Sequence, residues 1–233
     1  MSLPRRPQAV VFDMDGLLVD TEVIFRDALM DAAQGLGHDL PNEVFMRMIG
    51  LSDVLSGQIL REHFGEGFEL EAFWTHVSRQ AHAVIDAGVS LKTGVVELLD
   101  HLDAAGIPSA VCTSSGHPSV DRNLSQHGLR QRFQAVVARG DYVRGKPYPD
   151  PFLKAAEALA TPPGLCLALE DSHNGVRAAH AAGMMTIMVP DLLEPTEEMR
   201  TLCVRIAESL HDVRDLIAAA EPLRLPAAPK EQA

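Results

Sequence analysis

The sequence predicts an α/β protein: an open parallel sheet with helices on both faces, and an all-helical domain inserted after the first strand. Three observations lead there. Val10-Val11-Phe12, Ala135–Ala138, Leu165–Leu169 and Met185–Val189 are short, almost wholly apolar runs without alternation, the pattern of strands buried on both faces. Past Lys92 such runs alternate with stretches of helical periodicity, as a parallel sheet demands, because each return crossover is itself a covering helix. Between the first run and the second, some 65 residues from Glu22 to about Gly88 carry no strand pattern.

Val10-Val11-Phe12 opens the sheet and ends in Asp13-Met14-Asp15-Gly16, where the chain turns abruptly polar. In the block that follows, Phe25, Leu29, Ala32 and Leu36 recur at helix spacing, and Gly37 closes that helix. Ser52-Asp53 caps another, with Leu55, Ile59 and Leu60 on one face; Phe73, Val77, Ala81 and Val84 mark a third. Beyond Lys92-Thr93-Gly94 a helix carrying Val95, Leu98, Leu99 and Leu102 stops at Gly106, and Ser109–Thr113 forms the second strand. Pro118 suits the first turn of a helix ending at Gly128, and Ala135–Ala138 is the third strand. Asp150-Pro151 supplies cap and first-turn proline for a helix to about Ala160. Leu165–Leu169 is the fourth strand, Ser172 to Gly183 a helix, Met185–Val189 the fifth strand, and Asp212 to Ala220 a last helix. The boundaries that result are a core at 1–18 and 92–222, a helical insertion at 19–91, and a Pro-rich tail at 223–233 expected to be disordered.

Composition narrows the partners. The chain has 233 residues, 46% of them hydrophobic and 22% charged, and a formal net charge of -12. That charge argues against nucleic acid or an anionic membrane as partner, since either needs a basic face. Cys112, Cys166 and Cys203 lie far apart in apolar runs, without zinc spacing, as reduced cysteines do. The apolar stretch after Arg5-Arg6 is interrupted by Asp13 too soon for an export signal, and no stretch approaches the roughly 18 residues of a membrane span. A cytoplasmic monomer is expected.

In open α/β sheets ligands bind beyond the carboxyl ends of the strands, where the strand order reverses. The first strand delivers Asp13 and Asp15 there; the second delivers Thr113-Ser114-Ser115-Gly116; the loop after the third carries Gly145-Lys146-Pro147; the fourth ends in Glu170-Asp171. Carboxylates on Asp13 and Asp171, with a main-chain carbonyl near Asp15, are hard oxygen ligands suited to Mg²⁺ and, through it, to a substrate phosphate. Thr113 and the amides opening the next helix can hold phosphate oxygens, and Lys146 can pair with phosphate or with the crowded acids. Asp13 can attack phosphorus to form an aspartyl-phosphate, and Asp15 can protonate the leaving oxygen and then deprotonate water.

Phe12-Asp-Met-Asp-Gly-Leu-Leu-Val-Asp-Thr-Glu22, Thr113-Ser114, Lys146 within Gly-Lys-Pro-Tyr-Pro-Asp-Pro-Phe, and Glu170-Asp171 together resemble the four motifs of the haloacid dehalogenase (HAD) superfamily. The resemblance runs from about residue 8 to 190 and implies a Rossmann-like core whose helical insertion is a cap of the first subclass. It implies Asp13 as nucleophile, Asp15 as acid/base, Thr113, Ser114 and Lys146 as phosphate-binding residues, and Mg²⁺ held by Asp13, Asp15 through its main chain, and Asp171. Glu170 would be a further ligand or a supporting partner. Family dehalogenases lack the second aspartate, present here as Asp15. Thr113–Gly116 and Asn174–Val176 look most like sugar-phosphate and nucleotide-type phosphatases, pseudouridine-monophosphate phosphatases among them. The runner-up is the β-phosphoglucomutase branch, which carries an arginine after Gly-x-Ser in the cap; here Gly50-Leu51-Ser52 is followed by Asp53. The implied substrate is a small phosphorylated metabolite.

Plainer readings stand beside these. Thr113 could cap the next helix, and Ser114 and Ser115 could be loop hydroxyls. His117, His173, Arg79 and His82 read as solvated, and Trp74 as packing. Non-enzymatic alternatives are a phosphate-binding pseudoenzyme, or a receiver-type signalling domain, which would place its phosphorylated aspartate on a later strand than its acidic pair and would need no cap.

Overall fold

The computed structural model describes residues 3–220, so the tail expected at 223–233 lies outside the described residues. β1 (Ala9–Phe12) is wholly buried, and its alternate side chains serve opposite layers. The chain then leaves the sheet for α1 (Glu22–Gly35), α2 (Asn42–Met48), α3 (Asp53–Phe64) and α4 (Leu70–Ala87). It returns through α5 (Val95–Ala105), β2 (Ser109–Gly116), α6 (His117–Ser125), β3 (Ala135–Arg139), α7 (Asp150–Ala158) and β4 (Cys166–Glu170). α8 (His173–Ala181), β5 (Met185–Met188), α9 (Glu197–Leu202), β6 (Arg205–Ile206) and α10 (Leu210–Ala218) complete it.

The strands form one parallel sheet in the order β3-β2-β1-β4-β5-β6, the fold class that the sequence predicts. β1 is central, with Val11 beside Ala110 of β2 on one side and Ala168 of β4 on the other. The strand order therefore reverses at β1, and the crevice beyond its carboxyl end is where such sheets bind ligands. Val10 and Phe12 pack into the layer that holds Leu98, Leu102, Leu124 and Val213. Ala9 and Val11 pack into the other, against Phe152, Ala155 and Ala179.

In the insertion, α1 packs along α4, burying Leu29, Ala32 and Ala33 against Phe73, Val77, Ala81 and Ile85. The sequence reading placed Val84 on that face; Val84 is exposed and Ile85 occupies the stripe, because the run of buried positions advances by four residues at each step. The two chain crossings between insertion and core lie side by side, with Asp20 N–H donating to the Ser90 carbonyl at 2.9 Å and Lys92 N–H to that of Leu18 at 3.0 Å. α9 and β6 were not anticipated: β6 is two residues long, one of them Arg205, and offers no apolar run to read. β2 extends beyond the expected Thr113 to Gly116, with a register shift against β3 after Cys112.

Candidate active site

Asp13 continues the line of β1, its N–H donating to the Leu169 carbonyl of β4 at 3.0 Å, so that its carboxylate emerges at the sheet's carboxyl edge. The next residues turn back at once: the N–H groups of Leu18 and Val19 both donate to the Met14 carbonyl. Gly16 makes that turn possible at φ +78°, and a Cβ there would collide with the Asp171 carboxylate. Glu170 and Asp171 arrive on the neighbouring strand β4 and the loop after it.

Lys146, only 1% exposed, reaches in from the loop after β3 and donates through Nζ to Asp13 Oδ1 and Glu170 Oε1, each at 2.5 Å. The second Glu170 oxygen accepts from the Ser172 hydroxyl at 3.1 Å. Asp13, Glu170 and Asp171 each offer a carboxylate oxygen, all lying within 4.8 Å of one another. Asp15 stands apart from that cluster. Its carboxylate accepts from Thr21 Oγ1 and Ser115 Oγ at 2.8 Å each, and from Thr113 Oγ1 at 3.4 Å.

The electrostatics follow from burial. Burial raises Asp13 to about 8, against the pull of Lys146 and with the push of Glu170 and Asp15. Burial likewise raises Asp171 well above the usual carboxylate range, helped by Asp13, Glu22 and Glu170. Asp15 is raised by burial against the hydrogen bonds from Ser115 and Thr21. Burial works to lower Lys146, but Asp13 and Glu170 more than offset it and hold the ammonium well above its ordinary value. One lysine thus faces several buried acids. A group of hard oxygens with more negative charge than its protein partners offset is a fit for a divalent cation such as Mg²⁺.

Ser114 is placed differently from Thr113: its hydroxyl donates to the Gly50 carbonyl of the insertion at 3.1 Å. Thr113 Oγ1 accepts from the Ser115 N–H at 3.0 Å, while Gly116 is the N-cap of α6, so Thr113 does not cap that helix. Tyr142, unremarked in the sequence reading, donates its hydroxyl to the Thr113 carbonyl at 3.0 Å.

Asp13, Asp15, Ser114 and Ser115 border a cavity of about 350 Å³ that the insertion roofs with Phe25, Phe45 and Trp74. Trp74 and His82, read from sequence as packing and as solvated, both line it. His117 Nε2 lies 2.9 Å from Asp141 Oδ2 and His173 Nε2 lies 2.8 Å from the Glu194 carbonyl, and neither histidine lines the cavity. Two further lining residues were missed. Glu22, buried and raised to about 8 by burial and then by Asp15 and Asp13, opens α1 as the last residue of the first-motif run, and that place in the run was the available signal. Arg139 ends β3 and pairs with Asp53, so Asp53 is not the unopposed acid that its sequence context suggested. No local pattern marks Arg139.

A family profile described as haloacid dehalogenase-like hydrolase matches residues 10–189. The chain belongs to that family. The recognition made from the four motifs is therefore correct, and with it the class of enzyme. Among relatives, the probable pseudouridine-5'-phosphatase of Drosophila melanogaster is 35% identical over 219 residues, 90% of this chain and 93% of that protein. Hexitol phosphatase B of Escherichia coli K12 is 30% identical over 196 residues, 82% of this chain and 86% of that protein. The structure of CbbY from Rhodobacter sphaeroides in complex with phosphate superposes with a TM-score of 0.77 at 27% identity, covering 89% of this chain and 96% of that one. This haloacid dehalogenase-like hydrolase thus has phosphatases among its relatives. Among its described residues no helix is long and apolar enough to cross a membrane.

Proposed function

We propose that the chain is a Mg²⁺-dependent phosphatase that hydrolyses a small phosphorylated metabolite, a sugar phosphate or a nucleoside monophosphate, through an aspartyl-phosphate. The observation that carries this is the division between the two aspartates. Asp13 sits with Glu170, Asp171 and Lys146, whereas Asp15, two residues on, is held apart by Thr21 and Ser115 at the same cavity. This division supports Asp13 as the nucleophile among charge-balancing groups and Asp15, whose carboxyl burial raises above its ordinary range, as the acid.

In this reading Asp13 Oδ bonds to phosphorus as the ester P–O bond breaks, and Asp15 gives its proton to the departing oxygen. Asp15 then takes a proton from water, which attacks phosphorus and returns Asp13 with inorganic phosphate. Lys146 steadies Asp13 and can face the phosphate oxygens, joined by Thr113. Ser114 contributes through its amide, since its hydroxyl is given to Gly50. Asp13, Asp171, the Asp15 main chain and, as a further ligand or support, Glu170 would hold the Mg²⁺, which when bound supplies positive charge to phosphate and acids alike. The insertion acts as a cap over the site, hinged where the two crossings run side by side near 19–21 and 90–94. We take the protein as a cytoplasmic monomer that binds neither nucleic acid nor membrane, as its net charge of -12 suggests.

Released phosphate from a panel of phosphorylated metabolites, with Mg²⁺ and with a chelator, tests the reading. Asp13→Asn is expected to lose essentially all turnover, and retention of more than about a hundredth of the wild-type rate contradicts a nucleophilic Asp13. The mutase alternative gains a cation in Arg139, but one already matched by Asp53. Phosphorus NMR on β-glucose 1-phosphate with catalytic glucose 1,6-bisphosphate separates the two: glucose 6-phosphate forming faster than inorganic phosphate promotes the mutase.

A further inference from the structure

Away from Asp13 the cavity changes character. Its far wall comes from the insertion: Phe25 and Leu29 of α1, Phe45 of α2, Trp74 and Val77 of α4. The cations that line it, among the described residues, are Arg122 and Arg139, and each is already matched. Arg139 pairs with Asp53, and Arg122 meets Asp86 at 3.2 Å. His82 lies beside Arg122 and is held below its usual pKa by burial and by that arginine, so it adds no charge at neutral pH. What remains for hydrogen bonding beyond the phosphate end is sparse: the His82 imidazole, the Trp74 indole N–H and the hydroxyls of Ser56, Ser78 and Ser119.

Resting on the phosphatase reading, we propose that the substrate is a monophosphate whose leaving group ends in a flat, uncharged ring of the nucleobase kind. The ring lies against the wall formed by Phe25, Phe45 and Trp74, and its heteroatoms meet the serine hydroxyls. A fully hydroxylated sugar phosphate pushed against that wall would bury hydroxyls without partners, which is costly. A second phosphate would have to displace Asp53 or Asp86 from its arginine and then sit beside the freed carboxylate. An aromatic ring gains from stacking and asks for neither.

The comparison that isolates the ring is uridine or adenosine 5'-monophosphate against ribose 5-phosphate, which shares the phosphate and the pentose. Acetyl phosphate serves as the reference for the chemistry, and adenosine 3',5'-bisphosphate as the doubly charged competitor. The nucleotides should exceed ribose 5-phosphate in kcat/KM by about tenfold or more, chiefly through KM, and the bisphosphate should be poorer than the monophosphate. Trp74→Leu, which keeps an apolar wall but removes the ring, should bring the nucleotide-to-ribose-phosphate ratio toward one. Ribose 5-phosphate turned over as well as the nucleotides, while acetyl phosphate is hydrolysed, overturns the proposal and leaves the phosphatase reading standing. If acetyl phosphate is not hydrolysed with Mg²⁺, that reading fails instead, and calorimetric binding of the same ligand pair decides the wall: preference for the nucleotide supports it, equal affinity overturns it.

Discussion

Lys146 shows how far the site depends on single groups. Its ammonium is buried against Asp13 and Glu170, and breaking such a pair leaves charge without compensation. Lys146→Met should therefore cost about 3–5 kcal/mol of stability at neutral pH. The sign with pH follows from Asp13, whose pKa is raised to about 8. A carboxyl so raised favours the folded state while protonated, fully below its unfolded value of roughly 3.9, and that support is lost as pH climbs through 8. Without the lysine the carboxyl rises further, so wild type and variant should lose stability in parallel up to about pH 8 and the variant's deficit in melting temperature should grow only above it; a deficit that does not change on passing through pH 8 would contradict the ion-pair account. Asp15→Asn tests the other aspartate. Turnover should fall by about 10²–10⁴ for poor leaving groups and much less in the first half-reaction of an ester that leaves without protonation. Equal losses for both would remove Asp15 as the general acid.

At the scale of elements, the segment joining α2 to α3 is what seats the insertion on the core. The Ile49 carbonyl accepts from Asn174 Nδ2 at 3.3 Å, the Gly50 carbonyl from Ser114 Oγ, and Gly50 lies so close to Ser172 that a Cβ would strike its side chain. Gly50 is also at φ +76°, which costs an alanine about 1–2 kcal/mol. Gly50→Ala should lower kcat/KM by roughly 5–30-fold, that energy converted to rate, with the larger share in substrates that fill the cavity than in acetyl phosphate. A uniform loss across substrates would mean that Gly50 serves folding rather than seating. The elements themselves were mostly readable: β1, β3, β4 and β5 announced themselves as short, almost wholly apolar runs, and α5, α7 and α8 by their caps, prolines and terminal glycines. α9 and β6 escaped because a two-residue strand carries no period, its place being set by pairing with β5.

For the molecule as a whole, the helical insertion packs over the sheet's carboxyl edge in a chain of net charge -12. The ion pair between Asp53 of α3 and Arg139 of β3 crosses that boundary, and both partners are substantially exposed, at 56% and 44%. Exposed pairs contribute little to stability, up to about 1 kcal/mol. A double-mutant cycle on Asp53→Ala and Arg139→Ala should accordingly show a coupling of that size or less in melting experiments, fading as salt rises above ~0.1 M. In kcat/KM the two single variants should differ: Arg139→Ala leaves an acid in the cavity and weakens binding of anionic substrates, whereas Asp53→Ala frees a cation and strengthens it. Identical effects on substrate affinity would show that neither charge is felt there.

The sequence by itself determined the parallel sheet, the helical insertion after β1, and the set of groups beyond the strand ends, because buried strands and helix ends leave local signatures and because Asp13, Lys146 and Asp171 follow strands in the chain. Tertiary structure alone decided who meets whom. Ser114 reaches a carbonyl 64 residues away and Asp53 a guanidinium 86 residues away. Trp74 turns toward the cavity although its periodicity suits packing equally well. Such choices depend on how the insertion docks on the core, which helical period cannot express: period fixes which face of a helix is apolar, and only the docking decides whether that face meets protein or substrate.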